Sequence, residues 1–252
     1  MTTSNNNDIL AAENITKEFD GTKIIDNINI RLKKGELVCL LGQSGAGKTT
    51  LFNVLSGLYI PENGKVFLNG ENITGKPGKI SYMLQKDLLL PYMTVADNTA
   101  LPLVIKGENK KQARQKALSH FHKFGLDGCG DKYPRQLSGG MRQRAALLRT
   151  YLSSEGTALL DEPFSALDTL TKSAMHNWYL GVMQEIELST LFITHDIDEA
   201  ILLSDRIYIM SGKPGKITDE ITVTAPKPRN NDFTLTEDFL RIKRLIVEKL
   251  GL

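Results

Sequence analysis

Residues 37–41, Leu-Val-Cys-Leu-Leu, run directly into Gly42-Gln43-Ser44-Gly45-Ala46-Gly47-Lys48-Thr49, and no other stretch constrains the fold as much. A continuous apolar run of this length suits a strand buried on both faces. The glycine-rich segment fits G-x-x-x-x-G-K-[ST] at every fixed position, and the pattern predicts a helix over 49–58, closed near Gly57. Strand, loop and helix in that order have a chemical meaning. Glycines let backbone N–H groups curl around phosphate oxygens at a helix N-terminus, which favours negative charge. On this reading residues Gly42 to Gly47 cradle the phosphates of a nucleotide. Lys48 reaches the β- and γ-phosphates, and the Thr49 hydroxyl holds Mg2+ with Thr50 close by.

The rest of the chain supplies a frame for such a strand. Ile28, Ile30 and Leu32 alternate with polar residues, as in a half-buried strand, and 33–35 reads as a turn. Further strands are expected at 66–68, 80–84, 158–160, 191–194 and 207–210. From 94 to about 151 the pattern is helical. Within 108–124, Ala113, Ala117, Phe121 and Phe124 fall on one helix face, with Gly125 as the stop. Strand–helix alternation implies a mainly parallel sheet. Residues 226–231 look like a linker. Thr234 and Glu237 form a capping-box pattern, opening an amphipathic helix marked by Phe239, Ile242, Leu245, Ile246 and Leu250, whose apolar face is expected to pack on the core.

Composition narrows the function. Thirty-one basic residues against 29 acidic ones give a net charge of +2, which argues against a dedicated nucleic-acid binder. Cys39 and Cys129 form no CxxC pair, and Cys39, inside the apolar run, is expected to be a reduced core thiol. Residues 1–8 are polar and lack the apolar stretch of a signal peptide. No apolar run approaches the ~20 residues that span a bilayer. The chain is expected to be cytosolic, meeting a membrane only through a partner.

Two more segments carry chemistry. Ala158-Leu159-Leu160 leads to Asp161 and Glu162. Alone this also describes an ordinary strand end. Beside the phosphate loop it gives Asp161 for the Mg2+ shell and Glu162 to polarise an attacking water. Leu137-Ser138-Gly139-Gly140-Met141-Arg142-Gln143-Arg144 reads as a loop opening a helix, a second anion-binding geometry.

With that last motif the chain resembles the ATPase family of ABC transporters, whose signature is LSGGQ, here with Met141 in the fifth place. The resemblance runs from about residue 10 to about 224. It implies an α/β P-loop NTPase core with an N-terminal antiparallel β part and an inserted helical subdomain. The expected division is an ATPase domain over 9–225, with the helical part at about 86–151, and a linker with C-terminal helix over 226–252. It further implies that Gln85 links Mg2+ to the membrane partner and that Ser165-Ala166-Leu167-Asp168 crosses between subunits. His195 would touch the γ-phosphate, and Phe19 would stack on adenine. Ser138, Gly139 and Gly140 would face the γ-phosphate held by a second copy of the chain. Glu162, His195 and Lys48 would be catalytic, and Thr49, Gln85 and Asp161 would hold the metal. Residues 88–98, 161–168, 194–200 and 214–217 resemble the nitrate/sulfonate/taurine import branch, while Tyr92 and Arg149-Thr150 depart from it. The implied setting is a homodimer on the cytoplasmic side of the membrane, joined to a permease and indirectly to a solute-binding protein. Related members carry thiamine precursors. An exporter subunit and a soluble ATPase outside transport are the competing readings. The single ATPase unit without a coiled coil speaks against the second.

Overall fold

The computed structural model describes residues 8–165, 169–186, 188–229 and 231–251. Its centre is β3 (Leu37–Gly42), buried along its whole length. The strand has no solvent face, which is why its sequence is apolar without alternation. Leu37, Cys39 and Leu41 point into one core, and Val38 and Leu40 into the other. The neighbours of β3 are β8 (Ser189–Thr194) and β9 (Arg206–Ser211), both parallel to it. Beyond β8 come β7 (Thr157–Asp161) and β6 (Ser81–Met83), again parallel. An antiparallel edge strand, β10 (Lys216–Thr222), completes the order β10-β9-β3-β8-β7-β6.

A second sheet covers one face. Its order is β2-β1-β4-β5, all antiparallel, from β1 (Asp8–Phe19), β2 (Thr22–Lys33), β4 (Asn63–Leu68) and β5 (Glu71–Asn72). Helix α1 (Lys48–Leu55) lies between the two sheets, with Leu51, Phe52, Val54 and Leu55 buried. Between β6 and β7 the described chain is helical: α2 (Val95–Ile105), α3 (Lys110–Ser119) and α4 (Gly139–Ser153). Three more helices follow, α5 (Thr169–Ile186), α6 (Ile197–Leu203) and α7 (Glu237–Leu250). The expected α/β architecture, with its parallel sheet, antiparallel N-terminal part and helices, is thus present.

Local differences have local causes. Helix α1 stops at Leu55, three residues before the expected end. Helix α3 is shorter than expected, and Phe121 and Phe124 reach the core from turns beyond it. The cap of α7 is Thr236 and not Thr234: its hydroxyl accepts the Phe239 N–H at 3.3 Å. The expected linker is pinned. Arg229 is buried, and its guanidinium donates five hydrogen bonds to the carbonyls of Ile201, Ser204, Val223 and Ala225.

Candidate functional site

The phosphate loop leaves β3 where no side chain fits. A Cβ on Gly42 would lie 2.3 Å from the Met210 carbonyl oxygen. Gly47 has φ +92°, and a Cβ there would lie 2.6 Å from Ile25 Cγ2. Both glycines are therefore dictated by the close approach of neighbouring strands. The loop folds over Lys48, whose Nζ donates to the carbonyls of Gly42 at 2.7 Å and Gln43 at 2.9 Å. Burial lowers the pKa of this ammonium, while Glu162 and Asp161 pull it back up. A cleft of about 310 Å³ opens here, lined by Ser44, Gly45, Gly47, Lys48, Thr49, Thr50 and Glu162. It joins a helix N-terminus to a cation, a setting built for phosphate.

Asp161 ends β7 beneath this cleft. Its Oδ2 accepts from Thr49 Oγ1 at 3.1 Å and from the Tyr82 hydroxyl at 3.4 Å. Burial pushes the Asp161 carboxyl above the usual carboxylate range, against the Thr49 hydrogen bond. A buried carboxylate whose partners among the described residues are hydroxyls, with Lys48 turned to the loop carbonyls, fits a hard, oxygen-seeking cation such as Mg2+.

Glu162 follows in the left-handed region at φ +46°, an uncommon conformation for a residue with a side chain. Its N–H donates to the Ile193 carbonyl at 3.1 Å. That turn aims the carboxylate away from the sheet and between two other loops. Gln85 Nε2 donates to Glu162 Oε2 at 3.0 Å, and His195 Nδ1 lies 3.2 Å from Oε1. The three sequence candidates Gln85, Glu162 and His195 thus meet. They line a second cleft of about 730 Å³, together with Gln143 and Ser165.

Other candidates stand apart. Ser138 caps α4, its Oγ accepting the Met141 N–H at 3.3 Å. It is exposed and lines neither cleft. Phe19 is also exposed, with Tyr59 edge-on at 5.4 Å and Lys17 Nζ 5.0 Å from its ring centroid. It too lines neither cleft. Asp168 lies outside the described residues. Tyr82 touches Asp161 but carries no signal in the sequence, because a tyrosine in a short strand looks like ordinary packing.

Known proteins resemble this chain closely. Residues 25–165 match the ABC transporter family. The formylaminopyrimidine import ATP-binding protein ThiZ of Halalkalibacterium halodurans is 43% identical, over 90% of this chain and 89% of its own. The aliphatic sulfonates import ATP-binding protein SsuB of Bacillus cereus is 38% identical, over 93% and 91%. The nitrate import ATP-binding protein NrtD of a Synechocystis strain is 36% identical, over 85% and 82%. Among solved structures, a dimeric ATP-binding cassette in a post-hydrolysis state with ADP and Pi has a TM-score of 0.73 and 27% identity, covering 86% of this chain and all of that one.

Proposed function

The chain belongs to the ABC transporter family, and from that premise we propose that it is the ATP-binding and ATP-hydrolysing subunit of an importer, energising uptake of a small solute through a separate permease. The import ATP-binding proteins among its relatives are named for formylaminopyrimidine, aliphatic sulfonates and nitrate, and the solute here is drawn from that range of small molecules. The described residues contain no helix long and apolar enough to cross a membrane. A peripheral position on the cytoplasmic face, held by the permease, follows from this reading. So does an indirect link to a solute-binding protein.

The observation that carries the site reading is the clasp on Glu162, held by Gln85 and His195 at the edge of the phosphate cleft. In this reading Lys48 and the loop N–H groups bind the β- and γ-phosphates. Thr49, Asp161 and Gln85 would hold Mg2+, which would supply positive charge to offset that of the phosphates. Glu162 takes the proton of the attacking water, and His195 contacts the γ-phosphate. Two copies of the chain pair, so that Ser138, Gly139 and Gly140 of one face the phosphate loop of the other. Asp168 lies near the seam. Phe19, exposed beside Tyr59 and Lys17, would stack on adenine.

Glu162→Gln tests the central role. The amide keeps the shape of the side chain but loses the base. General-base catalysis contributes about a hundredfold or more, so turnover should fall by that factor while affinity for a fluorescent ATP analogue holds. Normal hydrolysis by the variant would remove Glu162 from the chemistry. For the import reading, the chain is co-purified with a permease and reconstituted in vesicles, where solute accumulation should require ATP on the side of this subunit.

A further inference from the structure

Next to the segments that carry Glu162 and His195 lies a partly buried charge cluster that the roles above leave unused. Lys172, His176 and Tyr179 of α5 are spaced four and three residues apart, so they share one helix face. Lys172 Nζ lies 2.6 Å from Asp196 Oδ2 and 2.8 Å from Glu199 Oε2. His176 Nε2 lies 3.6 Å from the same Glu199 oxygen. The His176 ring meets Phe164 edge-on at 5.0 Å, and Tyr179 meets it at 5.4 Å.

The placement matters more than the count of bonds. Phe164 stands two residues after Glu162, and Asp196 stands directly after His195. One face of α5 therefore grips both segments whose side chains meet at the phosphate cleft. Asp196 divides its oxygens between two tasks. Oδ1 accepts the N–H groups of Asp198 and Glu199 at 2.9 and 3.1 Å, capping α6, while Oδ2 is tied to Lys172. The backbone leaving His195 is thus fixed at both ends of one carboxylate.

Stability alone explains this cluster poorly. Glu199 is 2% exposed. A buried ion pair costs about as much in lost hydration as it returns, and well-packed apolar replacements are often neutral or better. What such a pair does supply is a fixed geometry. We propose that Lys172 is a positioning residue for ATP hydrolysis: by holding Asp196 against α5 it sets the backbone from which His195 reaches Glu162. The inference rests on the reading of His195 as a participant in hydrolysis.

The test compares the full-length chain as wild type, Lys172→Arg, Lys172→Met, and Lys172→Met combined with Glu199→Gln. Lys172→Met alone strands the buried Glu199 carboxylate and is open to unfolding. The double variant removes both buried charges, so it leaves no stranded ion and still releases Asp196. Steady-state ATPase and thermal melting are read for each, with His195→Ala alongside. A misplacement of about 1 Å costs up to about a hundredfold in rate, so kcat of the double variant should fall tenfold or more. Its melting temperature should stay near wild type, and KM for ATP within about twofold, since no ground-state contact to nucleotide is lost. Lys172→Arg keeps a cation at the site and should retain most of kcat. A folded double variant with wild-type kcat overturns the inference while His195→Ala remains inactive. Loss of the fold in the double variant also overturns it, because the cluster would then be serving stability. If His195→Ala turns over normally, the reading of His195 falls and the inference with it.

Discussion

Negative charge is held at Asp161 under unfavourable conditions. The carboxylate is buried, and its described partners are two neutral hydroxyls. Burial therefore raises its pKa. With the folded pKa above the unfolded one, the ionised form opposes folding at neutral pH, and the opposition fades only as the pH falls and the group protonates. Asp161→Asn should thus melt at a higher temperature than wild type when no nucleotide is present. Addition of Mg2+ and ATP should reverse the order. The wild type gains stability by mass action, whereas the variant has lost the anion that holds the cation. Differential scanning fluorimetry with and without Mg2+ and ATP reads both effects. A wild-type-sized shift in the variant would take Asp161 out of the cation site. Glu162 beside it carries strain of another kind, a side-chain residue at φ +46°. That conformation is what turns its carboxylate toward Gln85 and His195 instead of continuing the strand. No sequence pattern announces it, since two acids after an apolar run are compatible with either backbone course.

Elements differ in how openly the sequence declares them, and β3 and β1 mark the extremes. All six residues of β3 are buried, as are all of β7 and β8, so β3 and the interiors of β7 (158–160) and β8 (191–193) read as apolar runs without alternation. Strand β1 is as long as twelve residues, yet its pairing with β2 slips at several points and Asn14 sits at φ +53°. Bulges of this kind break the period-2 alternation that marks a strand, so the strand leaves no regular pattern in the sequence. The phosphate loop and the Asp161-Glu162 pair were legible because local backbone and side-chain type carry their chemistry. The Lys172 cluster was not, because it joins residues brought together only by the packing of α5 on α6. Arg229 is the same case at the C-terminus. A segment with two prolines reads as a linker, but its arginine plugs the carboxyl end of α6, where carbonyls lack helical partners and the dipole favours a cation. Helix α7 packs on α6 as well, with Phe239, Ile242 and Ile246 buried and Lys243 paired to Asp198 at 2.6 Å. Arg229→Ala leaves buried carbonyls without donors, so it should cost roughly 2–4 kcal/mol. Arg229→Lys should recover little, because an ammonium lacks the planar fork that reaches four carbonyls. Urea denaturation of the two variants decides this, and a wild-type midpoint for Arg229→Lys would reduce Arg229 to a filler of space.

At the scale of the whole molecule the proposed site would be completed by a second copy. Ser138 opens α4 on the exposed surface and lines neither cleft, although Lys48, Asp161, Glu162 and His195 gather around the phosphate loop. A second copy supplies the missing face if Ser138 acts across the dimer. The test needs a lesion that spares α4 itself. Ser138 is the N-cap of that helix, and most substitutions there cost about 1 kcal/mol, but aspartate caps as well as serine does. Ser138→Asp therefore keeps the helix while placing negative charge opposite the γ-phosphate. It should bind ATP in its own phosphate loop and fail to hydrolyse it. Lys48→Ala has the complementary lesion and should also be inactive. When the two are mixed, a heterodimer with sites built across the interface holds one site with both lesions and one with neither. Random pairing makes half of the dimers mixed, so independent sites would return about a quarter of wild-type activity. Sites completed within one chain would return none, since each chain carries its own lesion. Dilution gives a second reading of the same question. Specific activity of the wild type should fall as dimer dissociates. Activity that stays constant down to concentrations where only monomer exists would mean that one copy hydrolyses ATP without a partner's Ser138, and the exposed cap of α4 would need another explanation.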